Sequence, residues 1–166
     1  MKLRKLGIAA LLGASLQFGA ALASEVGQPA PAFDLPGASG QVRLADLRGR
    51  LVYVDFWASW CSPCKQSFPW MNEMQAKYGG QGLQIVGIAV DNKRADAEQF
   101  LKETPAKFTV AFDTQGESPK SYRIKGMPSS YLIAPDGRVL YAHAGFREQD
   151  KRELEERIRQ ALPKKP

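Results

Sequence analysis

Phe56-Trp57-Ala58-Ser59-Trp60-Cys61-Ser62-Pro63-Cys64-Lys65 contains both cysteines of this 166-residue chain. What flanks this stretch decides the fold. Before it, Leu51 to Phe56 is a compact apolar run that reads as a strand. After it, from Ser62 to Tyr78, the positions Phe68, Met71, Met74 and Tyr78 recur at helical spacing and mark an inner face. Gly79, Gly80 and Gly82 end that helix. The cysteine pair therefore sits where a buried strand turns into a helix.

That junction carries chemistry. Pro63 suits a first helical turn, where its missing N–H is not needed. Cys61 then lies at the helix N-terminus, where free N–H groups and the helix dipole stabilise a thiolate and lower its pKa. Cys64 lies one turn further in, on the same side and within disulfide reach. An outer nucleophile and an inner resolving thiol are what thiol–disulfide exchange requires. A purely structural disulfide is the weaker reading. Closing so small a ring is worth only about 2 kcal/mol, against about 4.7 kcal/mol for a 100-residue loop. Zinc would want about four ligands, and the chain offers two cysteines and His143, which falls in a predicted strand far along the sequence. Copper(I) needs fewer soft ligands and stays open.

Outward from the junction, the pattern alternates. Phe33 and Leu35, then Val42 and Leu44, flank a turn at Gly37 to Gly40 and predict a hairpin. Leu83 to Val90 is almost continuously apolar, as in a strand covered on both faces. Helices follow over Ala95 to Glu103 and Glu117 to Tyr122, with a strand over Phe108 to Phe112 between them. Strands over Ser130 to Ile133 and Arg138 to Ala142 flank the turn Pro135-Asp136-Gly137. Glu148 to Leu162 closes the chain as an amphipathic helix with Leu154, Ile158, Ala161 and Leu162 inward. The order predicts one α/β domain with a central mixed sheet.

The N-terminus reads as a targeting signal. Lys2, Arg4 and Lys5 precede an apolar run from Leu6 to Ala20, and Ala21-Leu22-Ala23 is a cleavage pattern. The reading is a signal peptide over residues 1–23 and a domain over 24–166. The run is shorter and more polar than the ~20 apolar residues of a spanning helix. No cysteine follows the cut, which excludes a lipid anchor there. Without Lys2, Arg4 and Lys5, 20 basic and 17 acidic side chains remain, a net of +3. That is too mild and too dispersed a charge for a nucleic-acid partner.

The ten residues around the cysteines resemble the active-site signature of the thioredoxin superfamily. Pro31-Ala32-Phe33-Asp34-Leu35 and Leu44-Ala45-Asp46-Leu47-Arg48-Gly49 resemble the exported TlpA/ResA type, within the redoxin and AhpC/TSA-like group. Gly126-Met127-Pro128-Ser129-Ser130-Tyr131-Leu132-Ile133 is similar to the family's proline loop and the strand after it. The resemblance implies a thioredoxin fold with an N-terminal hairpin and an inserted helix–strand unit. It implies a periplasmic monomer that reduces protein disulfides and is recharged by an integral-membrane thiol protein. Targets would include apocytochrome c or other periplasmic redox proteins, and no cofactor or metal is needed beyond the Cys61–Cys64 disulfide. It also implies a cis Met127–Pro128 bond opposite the cysteines, leaving the Met127 backbone free to pair with a substrate segment.

Two positions depart from the TlpA/ResA pattern. Ser67 stands where that type often has Glu, and Asp55 stands where it often has a neutral residue. Asp55 instead resembles the buried acid of thioredoxin. Buried, it should have a raised pKa, and near Cys64 it could take and return the proton of the resolving thiol. Trp57 and Trp60 are expected to pack around the site, with Trp60 and Pro63 supporting substrate contact. The rival readings are a peroxiredoxin-like thiol peroxidase and a Sco-like copper carrier. The first typically has a proline-led stretch before its cysteine, and the second has a CxxxC spacing one residue longer than this one.

Overall fold

A computed structural model of the protein describes residues 26–163. The signal peptide expected over residues 1–23, with its cleavage before Ser24, lies outside the described residues. Among those residues no helix is long and apolar enough to cross a membrane.

The chain begins with a hairpin of β1 (Asp34–Pro36) and β2 (Gln41–Arg43). Then come β3 (Leu51–Trp57), α1 (Ser62–Tyr78), β4 (Leu83–Ala89), α2 (Arg94–Glu103) and β5 (Thr109–Phe112). They are followed by α3 (Glu117–Ser121), β6 (Ser129–Ile133), β7 (Val139–Ala144) and α4 (Lys151–Ala161). The main sheet has the order β5-β4-β3-β6-β7. β4 is parallel to β3 and β5, while β6 runs antiparallel to both β3 and β7. This is the mixed α/β sheet of a thioredoxin fold, with α2 and β5 as the inserted unit and the hairpin as a separate two-stranded sheet.

β3 lies at the centre and every residue of it is buried. Side chains alternate along a strand, so the apolar run feeds two cores. Leu51, Tyr53 and Trp57 join Phe68, Met71 and Met74 of α1, Phe100 of α2 and Leu154 and Ile158 of α4. Val52, Val54 and Phe56 face the other way and meet Phe33, Leu44 and Tyr122. The hairpin and the α3 segment thus cover a face that would otherwise leave the central strand wet. All four residues expected on the inner face of α1 are buried, together with Cys64, Ser67 and Trp70.

Several expected boundaries move by one to three residues. The last helix opens as a 3-10 turn over Glu148–Asp150 before α4 begins. There the Arg147 N–H donates to the Asp150 carboxylate at 2.9 Å and tightens the first turn. The helix α1 runs on through Pro69, which is exposed.

Candidate active site

The main chain turns sharply after β3. The Cys61 N–H donates to the Ala58 carbonyl at 3.0 Å, which closes a turn over Ala58 to Cys61. Cys61 is then the N-cap of α1, in an extended conformation, and Pro63 occupies the first turn. First-turn N–H groups have no intrahelical partner, so proline there removes nothing. Cys61 and Cys64 form a disulfide with an S–S distance of 2.03 Å and Cα atoms 5.3 Å apart. Cys64 is fully buried and Cys61 is 4% exposed, so the outer sulfur is the one nearer to solvent. Beside them Trp60 is 70% exposed, a large apolar surface at the mouth of the site. Trp57 points inward, stacked edge-on against Phe68 at 5.0 Å between ring centroids.

Asp55 lies on the face of β3 that α1 covers, between Tyr53 and Trp57 along the strand. Both of those neighbours pack in the cluster that holds the two cysteines. Asp55 is 2% exposed, and its Oδ2 has no hydrogen-bond partner. Burial pushes its carboxyl well above the usual carboxylate range. The nearby Tyr53 hydroxyl is pushed up as well, first by burial and then by the Asp55 charge. Ser67 is buried one turn beyond Cys64, and its hydroxyl donates to the Cys64 carbonyl at 3.0 Å. The position where a glutamate was a possibility therefore holds a small group satisfied by its own helix.

The proline loop arrives from the other side. β6 is antiparallel to β3 with Ser129 opposite Phe56, so the start of β6 lies beside the end of β3 and the redox loop. The Met127–Pro128 bond is cis. Met127 is half-buried against the cluster that contains Cys61 and Cys64. Its backbone precedes β6 and takes no part in the sheet ladder. His143 sits on the edge strand β7, two strands from β3, with Nε2 3.4 Å from an Asp150 oxygen.

One site residue escaped the sequence reading. Asp91 follows β4, is 4% exposed, and reaches back to the redox loop. It accepts the Ser59 N–H at 3.0 and 3.2 Å and the Ser59 hydroxyl at 2.6 Å. The available signal was its place just beyond the carboxyl end of a buried parallel strand, where α/β sheets gather their functional groups.

A dithiol that closes and opens between a helix N-cap and its first turn, on a thioredoxin sheet, defines a thiol–disulfide oxidoreductase. The AhpC/TSA family matches residues 26–142. The thiol-disulfide oxidoreductase ResA of Bacillus thuringiensis subsp. konkukian is 36% identical over 140 residues, which cover 84% of this chain and 80% of that protein. A crystal structure described as the thiol:disulfide interchange protein DsbE of Chlorobium tepidum is 55% identical, with a TM-score of 0.82, over 84% of this chain and 99% of that one. The thioredoxin domain of a Bacteroides vulgatus thiol-disulfide oxidoreductase is 25% identical, with a TM-score of 0.73, over 81% and 97%. The chain belongs to the AhpC/TSA family and stands among its ResA-like thiol–disulfide oxidoreductases.

Proposed function

We propose that the protein reduces disulfides in other proteins outside the cytoplasm, with Cys61 as nucleophile and Cys64 as resolving thiol. The carrying observation is the placement of the cysteine pair, Cys61 at the helix N-cap and Cys64 sealed beneath it. The Cys61 thiolate attacks one sulfur of a substrate disulfide and displaces the other as a thiolate. Cys64 gives its proton to the Asp55 carboxylate, and its sulfur attacks the Cys61 sulfur of the mixed disulfide. The second substrate thiolate leaves and takes the proton back. Two electrons have moved, the substrate is a dithiol, and Cys61–Cys64 is a disulfide.

Trp60 and the free backbone of Met127 form the surface on which an extended substrate segment lies, with Pro63 and Pro128 shaping the loops on either side. The oxidised protein needs a thiol donor to recharge it, and in an oxidising compartment an integral-membrane thiol protein fits that need. The N-terminal targeting pattern supports a periplasmic site of action. Apocytochrome c and other periplasmic redox proteins are the substrate classes that suit such a reductase.

The test is to express Cys64→Ala with its native N-terminus in bacteria, trap mixed disulfides under acid, and identify the captured partners by mass spectrometry. The expected result is a set of exported cysteine-containing proteins bound through Cys61. Partners trapped by Cys61→Ala through Cys64 instead of by Cys64→Ala, or capture of cytoplasmic partners only, would overturn the reading.

A further inference from the structure

Two buried carboxylates belong to this site, and the exchange steps above use only one. Asp55 lies on the face of β3 that packs into the cluster holding both cysteines. Asp91 is bonded to Ser59, two residues before Cys61. Its oxygens take every donor that Ser59 offers, the amide at 3.0 and 3.2 Å and the hydroxyl at 2.6 Å. Ser59 stands inside the turn that the Cys61 N–H closes on Ala58, two residues before the nucleophile. Among the described residues, none of the ion pairs includes Asp91. Lys65, the cation one turn into α1, is directed to Glu103 at 3.9 Å. The other charged group lining the shallow cleft at Ser59 is Asp96 of α2, also acidic.

We infer that Asp91 is a positioning residue that latches the redox loop through Ser59 and, by its uncompensated charge, holds the Cys61 thiolate in check, so keeping the protein a reductant. The physics is a contest at the start of α1. The helix dipole and free N–H groups favour a thiolate at Cys61. A buried negative charge hydrogen-bonded two residues away opposes it, and low dielectric strengthens the opposition. A less stabilised thiolate means a less stabilised dithiol, and hence a lower potential. Ser59 serves both roles, because its two donors keep the buried carboxylate satisfied without neutralising it. The inference rests on Cys61 being the attacking thiol.

Asp91→Asn separates charge from latch. An asparagine carbonyl can accept the Ser59 N–H while its amide donates to the Ser59 hydroxyl, which accepts as readily as it donates. The Cys61 pKa, from the pH dependence of site-resolved alkylation, should fall. The equilibrium with glutathione should move about threefold toward the dithiol, a rise of about 14 mV at 29.6 mV per tenfold. Asp91→Ser, a second neutral variant, should move both quantities the same way and serves if the asparagine variant does not fold. Ser59→Ala keeps the charge and loosens the loop, so its Cys61 pKa should not fall. An unchanged potential in the neutral variants, or an equal fall of the Cys61 pKa in Ser59→Ala, overturns the inference and leaves Asp91 a simple latch. If alkylation instead shows Cys64 to be the more reactive thiol, the assignment of the nucleophile fails first, and that outcome is read from the wild-type protein alone.

Discussion

Asp55 on β3 pairs directly with Gly87 on β4, where an added side chain would crowd two aromatic rings. A Cβ there would lie 2.8 Å from the Phe108 ring and 3.1 Å from the Trp57 indole nitrogen. The β4 neighbour therefore offers the buried carboxylate no side chain. Burial is the cause that raises the Asp55 pKa. The packing that completes the core thus also strengthens the hold of the carboxylate on the proton that Cys64 gives up.

Asp55 should make the protein less stable as pH rises. Its carboxyl titrates near 4 in the unfolded chain and well above that in the folded one. The native state then holds a proton that the unfolded state releases. The contribution is full below about pH 4 and is lost as pH climbs through the folded value. Asp55→Asn should abolish that loss, matching the wild type near pH 3.5 and exceeding it by about 1–3 kcal/mol near neutrality. Urea unfolding of the oxidised proteins at the two pH values measures it. Parallel pH profiles for variant and wild type would show that Asp55 titrates as an ordinary acid.

The same substitution should also separate the two chemical steps. First attack on a substrate disulfide belongs to Cys61 and should change little. Resolution of the mixed disulfide should slow by about 10²-fold, in the range of a lost general base. Rapid-quench kinetics with a fluorescent peptide disulfide resolves the two phases. Equal slowing of both would place Asp55 outside the proton transfer.

Gly87→Ala should destabilise the fold by about 1–3 kcal/mol, the usual range for overpacking. Both Phe108 and Trp57 would have to shift against Phe68, on which they pack at 5.2 and 5.0 Å. Trp57 leads directly into the redox loop, so thermal unfolding and insulin reduction should both suffer. A variant of wild-type stability would mean that the aromatic pair can shift aside.

The potential should lie near that of thioredoxin, about −270 mV, and far from the strong oxidant value of about −120 mV. No histidine stands between the cysteines, and Asp55 and Asp91 are buried. Equilibration against glutathione or dithiothreitol buffers gives the number. A value above roughly −170 mV would make the protein an oxidase or isomerase.

Trp60→Ala should raise KM for protein disulfides about tenfold, as expected for an exposed aromatic anchor. Stability should stay within about 0.5 kcal/mol, because the side chain is largely outside the core. Insulin turnover and thermal melts together report both. An unchanged KM would remove Trp60 from the substrate surface.

The sequence alone determined the strand, the turn and the helix around Cys61 and Cys64. Those features are local: a short continuous apolar run gives way to a period of 3.6, with proline at the helix start. It also marked Asp55 as an anomaly within an apolar strand, and Met127-Pro128 through the resemblance of its loop. Only the tertiary structure decided what surrounds them. Ser59 and Asp91 are 32 residues apart and meet because β3 and β4 run parallel, bringing the loop after one strand to the end of the next. Register sets Asp55 between Gly87 on β4 and Ser130 on β6, and a Cβ at Gly87 would meet Phe108, which lies just before β5. Periodicity shows which way a residue faces along its own element. Which residue it faces is set by strand pairing across long stretches of chain, and no local pattern encodes that.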